Sequence, residues 1–111
     1  MESEAKLQME IVRWFNNNYP ELRGLLCYNL NNSEGSWRGK KNKFLGVIAG
    51  RSDLVLYHSG SAYMIELKNA KGTQRPAQVK WEKLVKSQGF EYVVLRTLGE
   101  FVLYVKGLIG Y

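Results

Sequence analysis

GRSDLVLYHSGSAYMIELKNAKG, residues 50–72, decides how the rest of the chain is read. Two runs rich in apolar, aromatic and β-branched residues flank Ser59 and Gly60, a pair suited to the centre of a tight hairpin turn. A turn centred there pairs His58 with Ser61 and, further along the same ladder, Asp53 with Glu66. Directly opposed residues hold their Cβ atoms about 4.5–5.5 Å apart, so two carboxylates so placed repel unless something positive lies between them. Side chains alternate along a strand, which puts Glu66 and Lys68 on one face and turns Ile65 and Leu67 to the other, toward the core. A four-residue loop keeps this pairing. A three-residue loop shifts the register by one and separates the acids.

Two readings compete for these charges. A solvated sheet face, with Lys68 neutralising one acid, is the ordinary outcome for a single charged pair on a strand. The other is a hard-cation site, in which carboxylate oxygens from neighbouring strands ligate Mg²⁺ or Mn²⁺ and an adjacent lysine orients or deprotonates water. An acid after a glycine-flanked turn, a second acid opposite it, an alternating Lys and surrounding base together favour the second.

Composition narrows the partner. The chain has 111 residues, 45% of them hydrophobic, enough for one compact domain over 1–111 and short for two. Sixteen Lys and Arg against ten Asp and Glu give a net charge of +6. A surplus of that size favours a polyanion, nucleic acid before a membrane surface, over mere solubility only once its location is known. The single cysteine, Cys27, lies in an apolar run and reads as a buried reduced thiol, which suits a reducing cytoplasm. No apolar stretch approaches the roughly 18 residues that a membrane span needs. The acidic start MESEAKLQ is unlike a signal peptide. No zinc ligands or helix-turn-helix are visible.

Working outward, Ser3 caps a first helix over roughly residues 4–18, with Leu7, Ile11, Trp14, Phe15 and Asn18 along one stripe. GLLCYNL, residues 24–30, reads as a short buried strand. The Gly-, Asn- and base-rich run up to Gly50 is expected to be irregular or briefly helical and mobile. After the hairpin, Pro76 opens a helix that ends at Gly89, with Ala77, Trp81, Leu84, Val85 and Gln88 on one side. FEYVVLR, residues 90–96, is a strand, and a Thr97–Glu100 capping box predicts a closing helix whose β-branched content would also suit a strand. The order is helix, strand, basic segment, hairpin, helix, strand, helix, an α/β sheet with helices on its faces.

Asp53 followed by Glu66, Leu67 and Lys68 matches the D…ExK signature of the PD-(D/E)XK nuclease superfamily. With GVIAGRSDLVLY, the hairpin, MIELKNAKG and RPAQVKW, the chain resembles the virus-type replication-repair nuclease family, VRR-NUC, along nearly its whole length. The likeness extends to Glu4 and Gln8, to Asn29, and to Gln78 beside Trp81. D…ExK alone is a weak pattern, and the glycines before Asp53 and the PAQ run make it specific. Arg75 departs from the family, which often has a small hydroxyl residue before that proline; Thr73 would then cap the helix, or Arg75 reach a phosphate.

The resemblance implies a small PD-(D/E)XK restriction-endonuclease-like fold, a central mixed β-sheet flanked by helices, and a metal-dependent phosphodiesterase. Asp53 and Glu66 would ligate Mg²⁺ or Mn²⁺, the Leu67 carbonyl adding a third oxygen. Lys68 would lie near the attacking water or the scissile phosphate, and Gln78 would fix water or Lys68. Glu4 is the implied first-helix acid above the same sheet end, with Glu10 the alternative; Glu4 is preferred because Gln8 follows it at the family's spacing. Arg38, Lys40, Lys41, Lys43, Arg51, Lys71 and Arg75 bracket the acid pair in sequence, as a phosphate backbone requires. Trp37 among them reads as packing before base stacking. The expected activity is structure-selective DNA cleavage, nicking or resolving branched DNA such as four-way junctions, by a homodimer in a bacterial or phage-infected cytoplasm. A non-catalytic DNA-binding scaffold and an RNA-directed nuclease are the alternatives.

Overall fold

The structure, a computed structural model, describes residues 3–29, 45–46 and 48–111. Among them the elements are α1 (Glu4–Asn18), a 3₁₀ turn (Pro20–Leu22), β1 (Leu26–Tyr28), β2 (Leu54–His58), β3 (Ser61–Leu67), α2 (Pro76–Ser87), β4 (Glu91–Leu95) and α3 (Leu98–Ile109). The strands form one mixed sheet in the order β1-β2-β3-β4. Its first two pairings are antiparallel, while β3 and β4 run parallel. Parallel neighbours cannot be joined by a tight turn, and α2 is the crossover between them.

The hairpin has the predicted register. His58 pairs with Ser61 and Leu54 with Ile65, through a turn whose residues Ser59 and Gly60 have φ of 50° and 79°. Both central residues lie in the left-handed region that a type I′ turn demands, and glycine is the residue that tolerates it best.

Ser3 caps α1 by accepting from Lys6 N at 3.1 Å. Leu7, Ile11 and Phe15 are buried, and the stripe continues to Tyr19 rather than Asn18, whose amide is exposed and donates to the Trp14 carbonyl. These side chains join Leu54, Leu56, Ile65, Leu67 and Leu95 of the sheet and Phe101 and Val105 of α3 in one core. The closing helix forms as the Thr97 cap predicted, with Thr97 Oγ1 accepting from Glu100 N at 3.1 Å. Propensity of its β-branched residues loses to the cap and to burial of Phe101.

Two elements differ from expectation. GLLCYNL forms a strand of three residues with Tyr28 exposed and Cys27 half-buried, because among the described residues only β2 pairs with it. On α2 no residue is fully buried. Its half-buried residues are Gln78, Val79, Trp81, Glu82 and Val85, while Ala77, Leu84 and Gln88 are exposed. The helix lies over β4, where Trp81 meets Tyr92 edge-on at 6.1 Å between ring centroids.

Candidate metal and phosphate site

The site forms at the end of the hairpin where β2 begins and β3 ends. Asp53 sits one residue before β2, and the ladder there is replaced by a side chain: Asp53 Oδ2 accepts from Leu67 N at 2.7 Å. Its own carbonyl accepts from Asn29 N at 2.8 Å, tying it to the strand on the other side. Asp53 is thus held from both neighbours at once.

Glu66 and Lys68 are where alternation puts them, but neither is on a solvated face. Glu66 is 0% exposed and Lys68 5%. Among the described residues neither Glu66 oxygen is held by a well-formed hydrogen bond, and the polar groups near it are the side chain and backbone of Asp53 and the Lys68 ammonium. A buried, unsatisfied carboxylate is costly as an anion. Burial accordingly pushes the Glu66 carboxyl up to about 9, the neighbouring Asp53 carboxyl adds to the rise, and Lys68 pulls it back in part. The ordinary reading of these charges, a solvated strand pair, fails on this burial.

A small polar cavity of about 200 Å³ opens beside the acids. Asp53 and Lys68 line it, with Glu4 from α1, Gly50, and Arg75 and Gln78 from the start of α2. Arg75 is the N-cap residue of α2, and Gln78 Oε1 accepts from Arg75 N at 2.8 Å. Gln78 therefore supplies the cap that the Arg75 side chain cannot, and Thr73 is not the capping residue. The amide oxygen is occupied in this way, so Gln78 offers the cavity its NH₂ group.

Gly50 explains one of the glycines before Asp53. Its φ is 85°, and a Cβ there would collide with the Ala77 carbonyl oxygen and sit 2.9 Å from Gln78 N. The chain can pass against the first turn of α2 only without a side chain. Gly50→Ala is expected to destabilise the fold by about 3 kcal/mol, combining left-handed strain with the clash. A urea midpoint unchanged from wild type would show that α2 does not need this contact.

Of the remaining cations, Arg51 donates from Nη2 to Asn29 Oδ1 at 2.8 Å. Lys71 is exposed in the loop after β3, and its backbone N–H is held by Asn69 Oδ1 at 3.1 Å. Arg38, Lys40, Lys41 and Lys43, and Trp37 with them, lie outside the described residues. Glu10 is half-buried on α1 and does not line the cavity, whereas Glu4 does. Among the described residues no three His, Cys, Asp or Glu side chains are grouped as a metal cage.

Two positioning residues, Ser52 and Arg96, escaped the sequence reading, and Asn29, named there without a role, acts with the first. Ser52 is fully buried, donating to the Leu54 carbonyl at 3.0 Å, and Asn29 Nδ2 donates to the Ser52 carbonyl at 3.1 Å. Together they fix the backbone that presents Asp53. Arg96 Nη1 donates to the carbonyls of Asn69 and Gly72 at 2.8 and 2.7 Å, clamping the loop that follows Lys68. A Ser before an Asp and an Arg after a strand carry no local signal of such roles.

A four-stranded mixed sheet with helices on both faces, carrying a buried carboxylate, a second acid and a buried lysine at one end, defines a small α/β fold with a candidate cation site. The solved structures that it resembles bear the same name twice. A "VRR_NUC domain protein" superposes with TM-score 0.79 and 21% identity, covering 99% of this chain and 90% of that one. A "VRR_NUC domain" superposes with TM-score 0.58 and 15% identity, covering 88% of this chain and 92% of that one. The chain has the fold of VRR-NUC domain proteins, which is the mixed-sheet α/β architecture expected from its sequence. No protein-family model and no curated protein sequence matches it. No described helix is long and apolar enough to cross a membrane.

Proposed function

We propose that the protein is a Mg²⁺- or Mn²⁺-dependent endonuclease that hydrolyses phosphodiester bonds in structured DNA. One observation carries this reading: Glu66 is fully buried beside Asp53 and Lys68, and among the described residues neither of its oxygens is held by a well-formed hydrogen bond. Such an arrangement is stable as a resting carboxylic acid and becomes a strong ligand set when a divalent cation displaces the proton. Two carboxylates with water completing the shell suit Mg²⁺, which prefers one or two acids to a closed protein cage.

Asp53 and Glu66 would hold the cation with the Leu67 carbonyl, and Glu4 would act from across the cavity. The bound cation supplies charge for the phosphodiester's developing negative oxygens and lowers the pKa of a coordinated water. Lys68, buried at the cavity wall, orients that water or donates to a non-bridging phosphate oxygen. The Gln78 NH₂ group donates to the same phosphate or water. Arg75 at the mouth of the cavity receives the phosphate backbone, and Arg38, Lys40, Lys41, Lys43 and Lys71 add the sequence-independent attraction that polyanion binding needs. Arg51 acts differently: it buttresses Asn29, and through it the Asp53 backbone.

The protein would select its substrate by nucleic-acid shape rather than by base sequence. We further propose branched DNA, four-way junctions included, as the substrate and a homodimer as the working form, since two sites related by a two-fold axis match a two-fold junction.

The test is nicking of plasmid and of a panel of flaps, forks, four-way junctions and matched RNA hairpins with Mn²⁺, with and without chelator. Metal-dependent nicks on branched DNA are expected. Tight binding with no cleavage of any substrate at any Mn²⁺ concentration would instead make the protein a DNA-binding scaffold, and preferential cutting of the RNA hairpins would move the substrate to RNA.

A further inference from the structure

Next to the polar cavity lies a second one of different character. It encloses about 590 Å³, in the roughly 300–1,000 Å³ range of small-molecule sites. Its walls are apolar: Ile48 and Leu84, 51% and 60% exposed, and the indole of Trp81. Ala49 and Ala77 line both cavities, so the two are adjacent, separated by the contact of this segment with the first turn of α2. Lys80 and Lys83 line the apolar one. The only acid on α2, Glu82, is paired to Lys86 at 2.5 Å, which leaves these two lysines without an acidic partner on their own helix.

An apolar, aromatic-walled pocket lined by two cations is chemically complementary to a planar base attached to a phosphodiester. Its adjacency to the candidate phosphate site would let such a base belong to the same strand. A lipid or an apolar peptide would use the walls but not the lysines, and an acidic peptide would use the lysines but not the indole. We propose that this pocket receives one nucleobase, the neighbour of the phosphate seated between Asp53 and Lys68, turned out of the helical stack. The proposal rests on the nuclease reading above and deepens it: the protein selects sites where that base is unpaired, because unstacking costs least there. Trp81 contributes the stacking face and Lys80 and Lys83 hold the flanking phosphate, a combination that tolerates any base identity.

The experiment places 2-aminopurine at successive positions around the cut in a four-way junction and in a duplex with one extrahelical base, bound to the Lys68→Ala protein so that nothing is cleaved. Emission is expected to change at a single position next to the cleaved bond, and Leu84→Glu added to this protein abolishes the change. In proteins with Lys68 intact, the extrahelical substrate is cut about tenfold faster than the matched duplex, and Leu84→Glu brings that ratio near one. Because Leu84 is exposed, the substitution should fold, and the Lys80→Ala/Lys83→Ala pair provides an independent variant with the same expected loss of ratio. Robust cleavage with silent emission at every position, or a preference unaffected by all these substitutions, overturns the pocket and leaves the nuclease reading standing. A positional emission change without cleavage of any substrate overturns the nuclease reading and keeps the pocket. Self-association lost in Leu84→Glu, with silent emission, assigns the groove to a second copy of this chain and overturns the proposal.

Discussion

Lys68→Ala is expected to abolish metal-dependent cleavage, with the rate falling by about 10²–10⁴-fold, the range of a positioned proton-transfer group, while DNA affinity stays within a few-fold. The asymmetry follows from position. Lys68 is buried at the cavity wall, where it could meet at most one phosphate, whereas affinity for a polyanion is distributed over many exposed cations. Single-turnover cleavage on a branched substrate, with binding measured separately, distinguishes the two effects. Nicking at the wild-type rate would remove Lys68 from the mechanism, and parallel loss of binding and cleavage would make it a binding residue.

Glu66→Gln should raise thermal stability in the presence of chelator and eliminate the response to Mn²⁺. Below the ordinary carboxylate value near 4.5, Glu66 is protonated in both the folded and unfolded chain and costs nothing. Between that value and about 9 the unfolded chain has released the proton while the folded one retains it, so wild-type stability falls as pH rises through this window. Above about 9 the slope vanishes. Glutamine does not titrate, so its advantage is absent near pH 4 and reaches on the order of 2 kcal/mol or more near pH 8, several degrees in melting temperature. Wild type regains stability with metal, by about 2.7 kcal/mol at a hundredfold excess over Kd, and the variant does not. Melting curves at pH 5 and 8, with chelator and with Mn²⁺, check both statements. A glutamine variant less stable than wild type in chelator at pH 8, or a wild type indifferent to Mn²⁺, would contradict a cation site at this pair.

Much of the architecture was legible because local chemistry and global fold agree. The Ser59–Gly60 turn fixed the hairpin register, and with it the adjacency of Asp53 and Glu66. Ser3 and Thr97 marked helix starts through side-chain caps that need no tertiary partner. Where the local signal was ambiguous, packing decided. The side of α2 that turns inward includes Glu82, held by Gln74 Nε2 at 2.9 Å, and excludes Leu84. Periodicity registers which residues are apolar, not which ones the sheet covers.

The sequence by itself determined which acids face each other, because register and alternation are properties of a hairpin and its turn. Only the tertiary structure decided that this face is covered. Whether a carboxyl group is solvated or buried depends on what lies over it. For Glu66 that cover comes from elements distant in sequence, with Tyr92 of β4 near enough to feel its charge. The same is true of Gly50, Ser52 and Arg96, whose roles exist only once loop, helix and strand meet: a close approach, a buried hydroxyl and a clamp on two carbonyls are relations between segments that no single stretch of sequence encodes.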